Sequence, residues 1–138
     1  MSTAREVAER FLEVAAGDGL ADLYAEDSVI EMPFAPPGIP GRFEGREGHR
    51  SRFELAATMI RRDRADNVVI HETADPEVVI LEFDLHSTLI ATGRPVVLSY
   101  VMVMRIRDGL IVHSRDYGNP LAAAEFRDEL VRAMNSQP

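Results

Sequence analysis

The chain has no cysteine among its 138 residues. This absence excludes disulfide bonds, thiolate nucleophiles and cysteine metal sites, and it fits a reducing compartment, so we expect a cytoplasmic protein. There is also no apolar run long enough to cross a bilayer and no export signal at the N-terminus, so we expect no membrane partner. Basic residues are outnumbered, with 15 Lys and Arg against 23 Asp and Glu and a net charge of −8. A nucleic-acid partner is therefore not expected, because phosphate binding needs a basic surface.

Hydrophobic residues make up 46% of the chain, which is enough for a substantial core. No internal repeat, low-complexity segment or linker divides the sequence, so we expect one domain over residues 1–138. No pair of histidines has the spacing of metal ligands, so we expect no metal site. Any activity is expected to be cofactor-independent.

The middle of the chain is rich in β-branched and aromatic residues. Residues 77–117 predict three long antiparallel strands, with a break at Gly93 and a strong hairpin signal at Asp108-Gly109. Upstream, a strand is predicted over 28–32. It is followed by a loop over 34–41, in which three prolines and two glycines prevent regular structure. The loop is either a gate over a pocket mouth or a rigid connector.

Two helices are predicted before the first strand. Thr3 and Glu6 form a capping box that begins the first helix, and Gly17 ends it. Asp18 is a cap for a short second helix.

A third helix is predicted over residues 46–62, after a short extended piece over 43–45. Three arginines lie where this helix should end and where they would complement its dipole: Arg61, Arg62 and Arg64. A strand over 67–73 then leads into the meander. A last helix begins after Asn119-Pro120.

These elements predict an α+β fold. We expect a curved antiparallel sheet that forms a cone, with the N-terminal helices covering its concave side. The middle strand of the meander is apolar on both faces, with Val97 and Val101 on one and Met102 and Met104 on the other. Because helices cover only one face, the outer face is expected to meet a second copy of the chain in a homodimer.

Strand alternation sorts the polar residues of the meander. One face of the first long strand carries Glu82, Asp84 and His86, opposite the face of Leu81 and Phe83. On the last strand, Ser114 and Asp116 share a face. Our interpretation places the acidic face inside the cone beside Asp116. The alternative is that Glu82 and Asp84 face solvent, or pair with Arg105 and Arg107 across the hairpin.

Carboxyl groups inside a cone could act as a general acid and a general base. Crowding and desolvation both disfavour ionisation, so one carboxyl should hold a proton near neutral pH. Asp116 is then the candidate base, Asp84 shares its proton, and His86 relays protons. The Tyr24 phenol is a possible donor to a substrate oxygen, although a packing role is the ordinary one for such a residue.

Two stretches carry a family resemblance, DLYAEDSVIEMPFAPPGIPGRFEGREGHR over 22–50 and MRIRDGLIVHSRDYGNPLA over 104–122. They resemble the SnoaL-like group of the nuclear transport factor two-like superfamily. That group shares a cone fold with ketosteroid isomerases, polyketide cyclases and limonene epoxide hydrolases. The resemblance covers nearly the whole chain and implies the fold, whereas the fold hosts enzymes and binding modules alike.

Carrying the catalytic residues of these families onto this chain gives a mixed result. The tyrosine and two aspartates of ketosteroid isomerases match Phe11, Met32 and Met102, so that mechanism is not expected. The resemblance to limonene epoxide hydrolases is closer. The last-strand motif of those enzymes matches Arg115-Asp116-Tyr117. The asparagine with which they hold the attacking water corresponds to Glu31, which could take over that role.

Two classes of function follow. The first is a cofactor-independent acid and base enzyme, of hydrolase, cyclase or isomerase type, acting on a small, apolar, oxygenated molecule. The second is a non-catalytic module that binds ligands or dimerises through the same cone. Besides the catalytic candidates, the residues expected to line the pocket are Phe11, Tyr24, Met32, Phe34, Glu82, Tyr100, Met102, Met104 and Ser114.

Overall fold

Six strands form one sheet in the computed structural model, which describes residues 2–15, 19–122 and 124–136. The helices are α1 (Ala4–Val14), a 3₁₀ helix (Leu20–Leu23), α2 (Arg46–Ala57) and α3 (Ala124–Ser136). The strands are β1 (Tyr24–Glu31), β2 (Arg42–Glu44), β3 (Ile60–Glu72), β4 (Val78–Leu89), β5 (Pro95–Arg107) and β6 (Leu110–Gly118). The strand order is β2-β1-β6-β5-β4-β3.

The sheet is open, curved and mixed, and the fold is the predicted α+β cone. All neighbouring strands are antiparallel except β1 and β6, which run parallel. The prediction of an entirely antiparallel sheet was therefore wrong for the β1–β6 pair. Because β1 and β6 lie far apart in the chain, no hairpin turn fixes their relative direction.

The predicted meander is confirmed as β4, β5 and β6. Asp108 and Gly109 both have positive φ, at 53° and 77°, which is typical of the type I′ turn that joins twisted strands. Along β4 the residues alternate between buried and partly exposed over its whole length. The buried face carries Val79, Leu81 and Phe83, and it packs against α1 in the hydrophobic core.

Helix α1 begins as predicted. The Glu6 backbone N–H donates to Thr3 Oγ1 and the Thr3 N–H donates to Glu6 Oε1, each at 3.1 Å. The helix buries Val7, Ala8 and Phe11 against the concave side of the sheet. The predicted helix end at Gly17 and the cap at Asp18 lie outside the described residues.

Strand β3 is the main correction to the predicted elements. The predicted helix over 46–62 ends at Ala57, and the predicted strand over 67–73 begins instead at Ile60. Arg61, Arg62 and Arg64 are therefore strand residues, not helix-end residues. The long antiparallel pairing with β4 overrides the low strand propensity of this charged segment.

The loop over 34–41 packs against α3. Gly38 has a positive φ of 89°, and a Cβ built there would meet Val131 Cγ1 at 3.0 Å. Before α3, the Leu121 N–H donates to Asn119 Oδ1 at 2.9 Å, but the helix itself begins only at Ala124. Of the described helices, none is long and apolar enough to cross a membrane. The cytoplasmic location stays a prediction.

Candidate functional site

An inner cavity of about 150 Å³ lies between the concave face of the sheet and the N-terminal helices. Most of its wall is apolar and includes Phe11, Leu20, Met32, Phe53, Phe83 and Met102. Four polar side chains also line it: Tyr24, Arg62, Tyr100 and Asp116. A mostly apolar cavity with a few convergent polar groups is the usual form of a small-molecule site.

Asp116 is the carboxyl group of this cavity. It lies on β6 directly opposite Met102 of β5, and the Ser114 hydroxyl, on the same face, donates to Asp116 Oδ1. Burial raises the pKa of Asp116 from 3.8 to about 6, and the Ser114 hydrogen bond and the nearby His113 only partly offset that effect. The cause is desolvation, not the second carboxylate that the sequence predicted.

The two phenols of the cavity are held by ring contacts. Tyr24 is 1% exposed and packs edge-on against His49, with ring centroids 5.4 Å apart. The Tyr100 ring stacks on Phe83 at 5.5 Å. Burial raises the pKa of both phenols, the negative charge of Asp116 adds to this, and Arg62 opposes it. Both therefore remain neutral hydrogen-bond donors at neutral pH.

Arg62 is the polar residue of the cavity that sequence reasoning missed, whereas the other missed residues, such as Leu20 and Phe53, are apolar. It was predicted near a helix end, whereas on β3 it pairs with Ser87 of β4 and points to the concave side. Its pKa is lowered by burial. Alternation over the segment RRDRAD gave no signal for it, because strict alternation puts Arg62 and Arg64 on the same face of a strand. A register shift in the β3–β4 pairing between these two residues turns them to opposite faces.

A second cavity, of about 120 Å³, lies between the 34–41 loop and α3. Its apolar wall includes Phe34, Ile39, Leu98, Phe126 and Leu130. It shares Met32, Tyr100 and Asp116 with the inner cavity. The loop thus borders this second cavity, which Asp116, the candidate base, also lines. Phe34, a predicted pocket-lining residue, lies in its wall.

The other predicted catalytic residues lie on the opposite face of the sheet. Asp84 accepts hydrogen bonds from Asn67 Nδ2 at 2.7 Å and Ser99 Oγ at 2.6 Å, and these bonds lower its pKa. The predicted proton sharing between Asp84 and Asp116 is therefore wrong. The alternation was correct, but a strand with one polar and one apolar face turns the polar one toward solvent.

The remaining acidic candidates are paired with histidines outside the cavities. Glu82 Oε2 lies 2.5 Å from His71 Nε2, and the predicted pocket position of Glu82 is wrong. A proton relay by His86 into the cavity is also wrong, because His86 Nε2 contacts Asp66 Oδ1 at 2.8 Å on the outer face.

Glu31 is displaced in the same way. Its Oε1 lies 2.5 Å from His113 Nε2, on the face opposite Ile30, so it does not orient a water beside Asp116. The alternative of a solvent-facing acidic surface is closer to the structure. The partners differ, however, because Arg105 and Arg107 both bind Glu77.

Two predicted lining residues belong to the core instead of the cavity wall. Met104 is fully buried in the hydrophobic core, and Ser114 is buried beneath Asp116. Within the described ranges, no three carboxylate or imidazole groups converge on a point where they would hold a metal ion.

Known proteins similar to this chain carry the same fold. The family model of the SnoaL-like domain matches residues 5–114, which include Tyr24, Arg62 and Tyr100 and end two residues before Asp116. An uncharacterized PhzA/B-like protein of Pseudomonas aeruginosa is 39% identical over 119 residues, or 84% of this chain and 82% of its own.

Two solved structures extend the comparison. One named "Putative Isomerase", from Bacillus subtilis, has a TM-score of 0.82 and 32% identity, covering 91% of this chain and 92% of its own. Another, named "putative polyketide cyclase", from Pseudomonas putida, has a TM-score of 0.74 and 22% identity, covering 86% and 93%. The second likeness shows the fold alone.

Proposed function

Because the chain belongs to the SnoaL-like domain family, we propose that it is a cofactor-independent enzyme of the isomerase or cyclase type, with Asp116 as its base. The substrate is a small, largely apolar molecule with a carbonyl group. The reaction begins when Asp116 removes a proton from the carbon next to that carbonyl. The observation that carries this proposal is a carboxyl group with a pKa of about 6 in the wall of an apolar cavity.

The surroundings of Asp116 suit a base. Ser114 donates to Oδ1, which leaves Oδ2 available to accept a proton from the substrate. A carboxyl with a pKa of about 6 is mostly ionised at neutral pH, yet it is more basic than an ordinary aspartate. A base whose pKa lies near the working pH combines these two requirements.

The phenols supply the complementary part of the chemistry. When a proton leaves the α-carbon, negative charge develops on the carbonyl oxygen, and neutral donors stabilise it most in a water-poor site. Tyr24 and Tyr100 are such donors in the same cavity as Asp116. If the substrate has a β,γ double bond, the dienolate formed can regain the proton from Asp116 at the γ-carbon, which is an isomerisation. If it has a second carbonyl, the enolate carbon can attack it and the resulting alkoxide takes the proton from Asp116, which closes a ring.

The Bacillus subtilis relative favours isomerase chemistry over hydrolysis, because its structure, at 32% identity, bears the name of an isomerase. The structure named as a polyketide cyclase shares the fold alone. The hydrolase expectation depended on a water held by Glu31 and on Asp84, and both residues lie on the outer face.

Hydrogen exchange tests the proposed base. The probe is 2-tetralone, a small cyclic ketone with exchangeable α-protons, and the loss of its α-proton signals in D₂O is followed by ¹H NMR. Wild-type protein is expected to accelerate the exchange, and Asp116→Asn to reduce that acceleration by about 10²- to 10⁴-fold. Asp84→Asn is the matched control, because it removes a carboxylate of the outer face, and it should exchange at the wild-type rate.

Two results would overturn the proposal. Equal acceleration by wild type and Asp116→Asn would exclude Asp116 as the base. If 2-tetralone raises the melting temperature of the wild type and yet exchanges no faster than in buffer, the non-catalytic binding module is the better account.

A further inference from the structure

Arg62 is a cation in the wall of the inner cavity that no carboxylate of the described residues neutralises. We propose that it anchors a carboxylate group of the ligand, so that the substrate class is a small ring-containing carboxylic acid. This inference names the substrate class for the function proposed above and rests on that function.

The neighbouring arginines of β3 show how unusual this position is. Arg61 Nε lies 2.6 Å from Asp63 Oδ1, and Arg64 Nη1 lies 2.6 Å from Asp66 Oδ2, both with mostly exposed side chains. Arg62, between them, faces the other way and is only partly exposed. Among the described residues, no carboxylate lies within the 4.0 Å limit of an ion pair with it.

The position of Arg62 also suits a ligand. It lines the inner cavity and a third cavity, of about 250 Å³, between the 3₁₀ helix and α2. Glu54 borders that third cavity as well, but beyond ion-pair distance. The guanidinium therefore lies where the interior opens between these two helices, and an entering anion would meet it there.

The free-energy cost of burying the Arg62 guanidinium without an anionic partner favours a ligand that supplies the counter-charge. Removing a charge from water is costly unless a partner and hydrogen bonds replace the lost hydration, and burial already lowers the pKa of Arg62. The described groups that act on it are the Tyr24 and Tyr100 phenols, which are neutral. A guanidinium presents two parallel N–H groups that match the two oxygens of a carboxylate.

The base and the cation are separate within the cavity. The groups that act on Asp116 besides its burial are Ser114 and His113, whereas both phenols respond to Asp116 and Arg62 together. In the sheet, β5 and β4 separate Asp116 on β6 from Arg62 on β3, and Tyr100 of β5 lies on a strand between the two charged groups. A carboxylate bound at Arg62 would keep its charge away from Asp116, and a cavity of about 150 Å³ is large enough to admit a six-membered ring.

Binding of two matched probes tests the anchor. Sodium benzoate and benzamide have the same ring and nearly the same size, but only benzoate is an anion. In calorimetric titrations at pH 7, wild type should bind benzoate more tightly than benzamide. Arg62→Gln should weaken benzoate binding by about 10-fold or more and leave benzamide binding unchanged. Arg64→Gln, the matched control on the same strand, should behave as wild type.

Several outcomes would overturn the inference. They are equal affinity of wild type for the two probes, no binding of benzoate, an unchanged benzoate affinity in Arg62→Gln, or an equal loss in Arg64→Gln. The comparison of probes on wild type needs no variant, so it decides even if Arg62→Gln does not fold.

The binding test of Arg62 also does not depend on whether the protein is catalytically active. Benzoate binding that depends on Arg62, without any Asp116-dependent exchange of 2-tetralone, would support the anchor and reject the enzyme. Asp116-dependent exchange with equal binding of the two probes would support the enzyme and reject the anchor.

Discussion

Replacing Asp116 with Asn should change how the stability of the protein depends on pH. The native carboxyl has a pKa of about 6, against an ordinary value of 3.8. Between these two values the folded protein binds more protons at this residue than the unfolded chain does. The free energy of unfolding must therefore fall as pH rises through this window. Asparagine has no proton to lose, so Asp116→Asn lacks this contribution.

The size of the effect follows from the two pKa values. A pKa of about 6 in place of 3.8 corresponds to at most about 3 kcal/mol, reached above pH 6 and absent below pH 3.8. The other carboxylates of the protein are the same in wild type and variant, so their contributions cancel in the difference. The stability of Asp116→Asn relative to wild type should thus increase by about 3 kcal/mol between pH 4 and pH 8.

Urea unfolding of both proteins at intervals from pH 4 to pH 8 measures this difference. Asp84→Asn is a control of opposite sign, because hydrogen bonds from Asn67 and Ser99 lower the pKa of Asp84. Its loss should destabilise the protein by a nearly constant amount from pH 8 to pH 5, and the deficit should begin to shrink only near pH 4, because the unfolded value is 3.8 and the folded pKa lies below it. A stability difference between Asp116→Asn and wild type that is independent of pH would contradict a raised pKa of Asp116 in the folded protein.

Three further predictions concern other parts of the molecule. Gly118→Ala places a Cβ 3.2 Å from Tyr100 Cε1, so it should displace that ring and slow the exchange of 2-tetralone; an unchanged rate would show that Tyr100 is not needed. Val101 is 38% exposed on the outer face, where we expect a homodimer, so Val101→Lys should lower the mass measured by sedimentation equilibrium. A monomeric wild type would contradict that expectation. Thr3→Ala removes the capping box of α1 and should cost about 1 kcal/mol in urea unfolding, whereas no loss would mean that the helix end is frayed.

The structural features that depend on a local sequence pattern were predicted correctly. The capping box at Thr3, the Asp108-Gly109 turn and the alternation along β4 depend on neighbouring residues, and the structure contains all three. The family resemblance is likewise confirmed, because the SnoaL-like family model matches residues 5–114.

What failed depends on contacts between distant parts of the chain. Alternation shows that Asp84 and Phe83 lie on opposite faces of β4, but not which face the helices cover. Residues 60–66 are rich in arginine and aspartate, and they form a strand only because β4 lies beside them. That misassignment hid Arg62. The inverted faces put Asp84, Glu82 and His86 in a cavity that holds none of them, and the correspondence to limonene epoxide hydrolases did the same for Glu31.

Asp116 was placed correctly for a partly different reason. The prediction relied on a second carboxylate and on desolvation, whereas desolvation alone is the main cause of its raised pKa. Tyr24 and Tyr100 were also predicted to line the pocket, and both lie in the cavity wall with Asp116, although they come from β1 and β5.

An NMR titration measures directly whether the pKa of Asp116 is near neutrality, as its role as a base requires. Protein labelled with ¹³C at the aspartate carboxyl carbons is titrated from pH 3 to pH 8, and the Asp116 signal is assigned by its absence in Asp116→Asn. The signal is expected to titrate with a midpoint of about 6. A midpoint at the ordinary value of 3.8 would contradict the account, because such a carboxylate would be too weak a base for the proposed proton transfer.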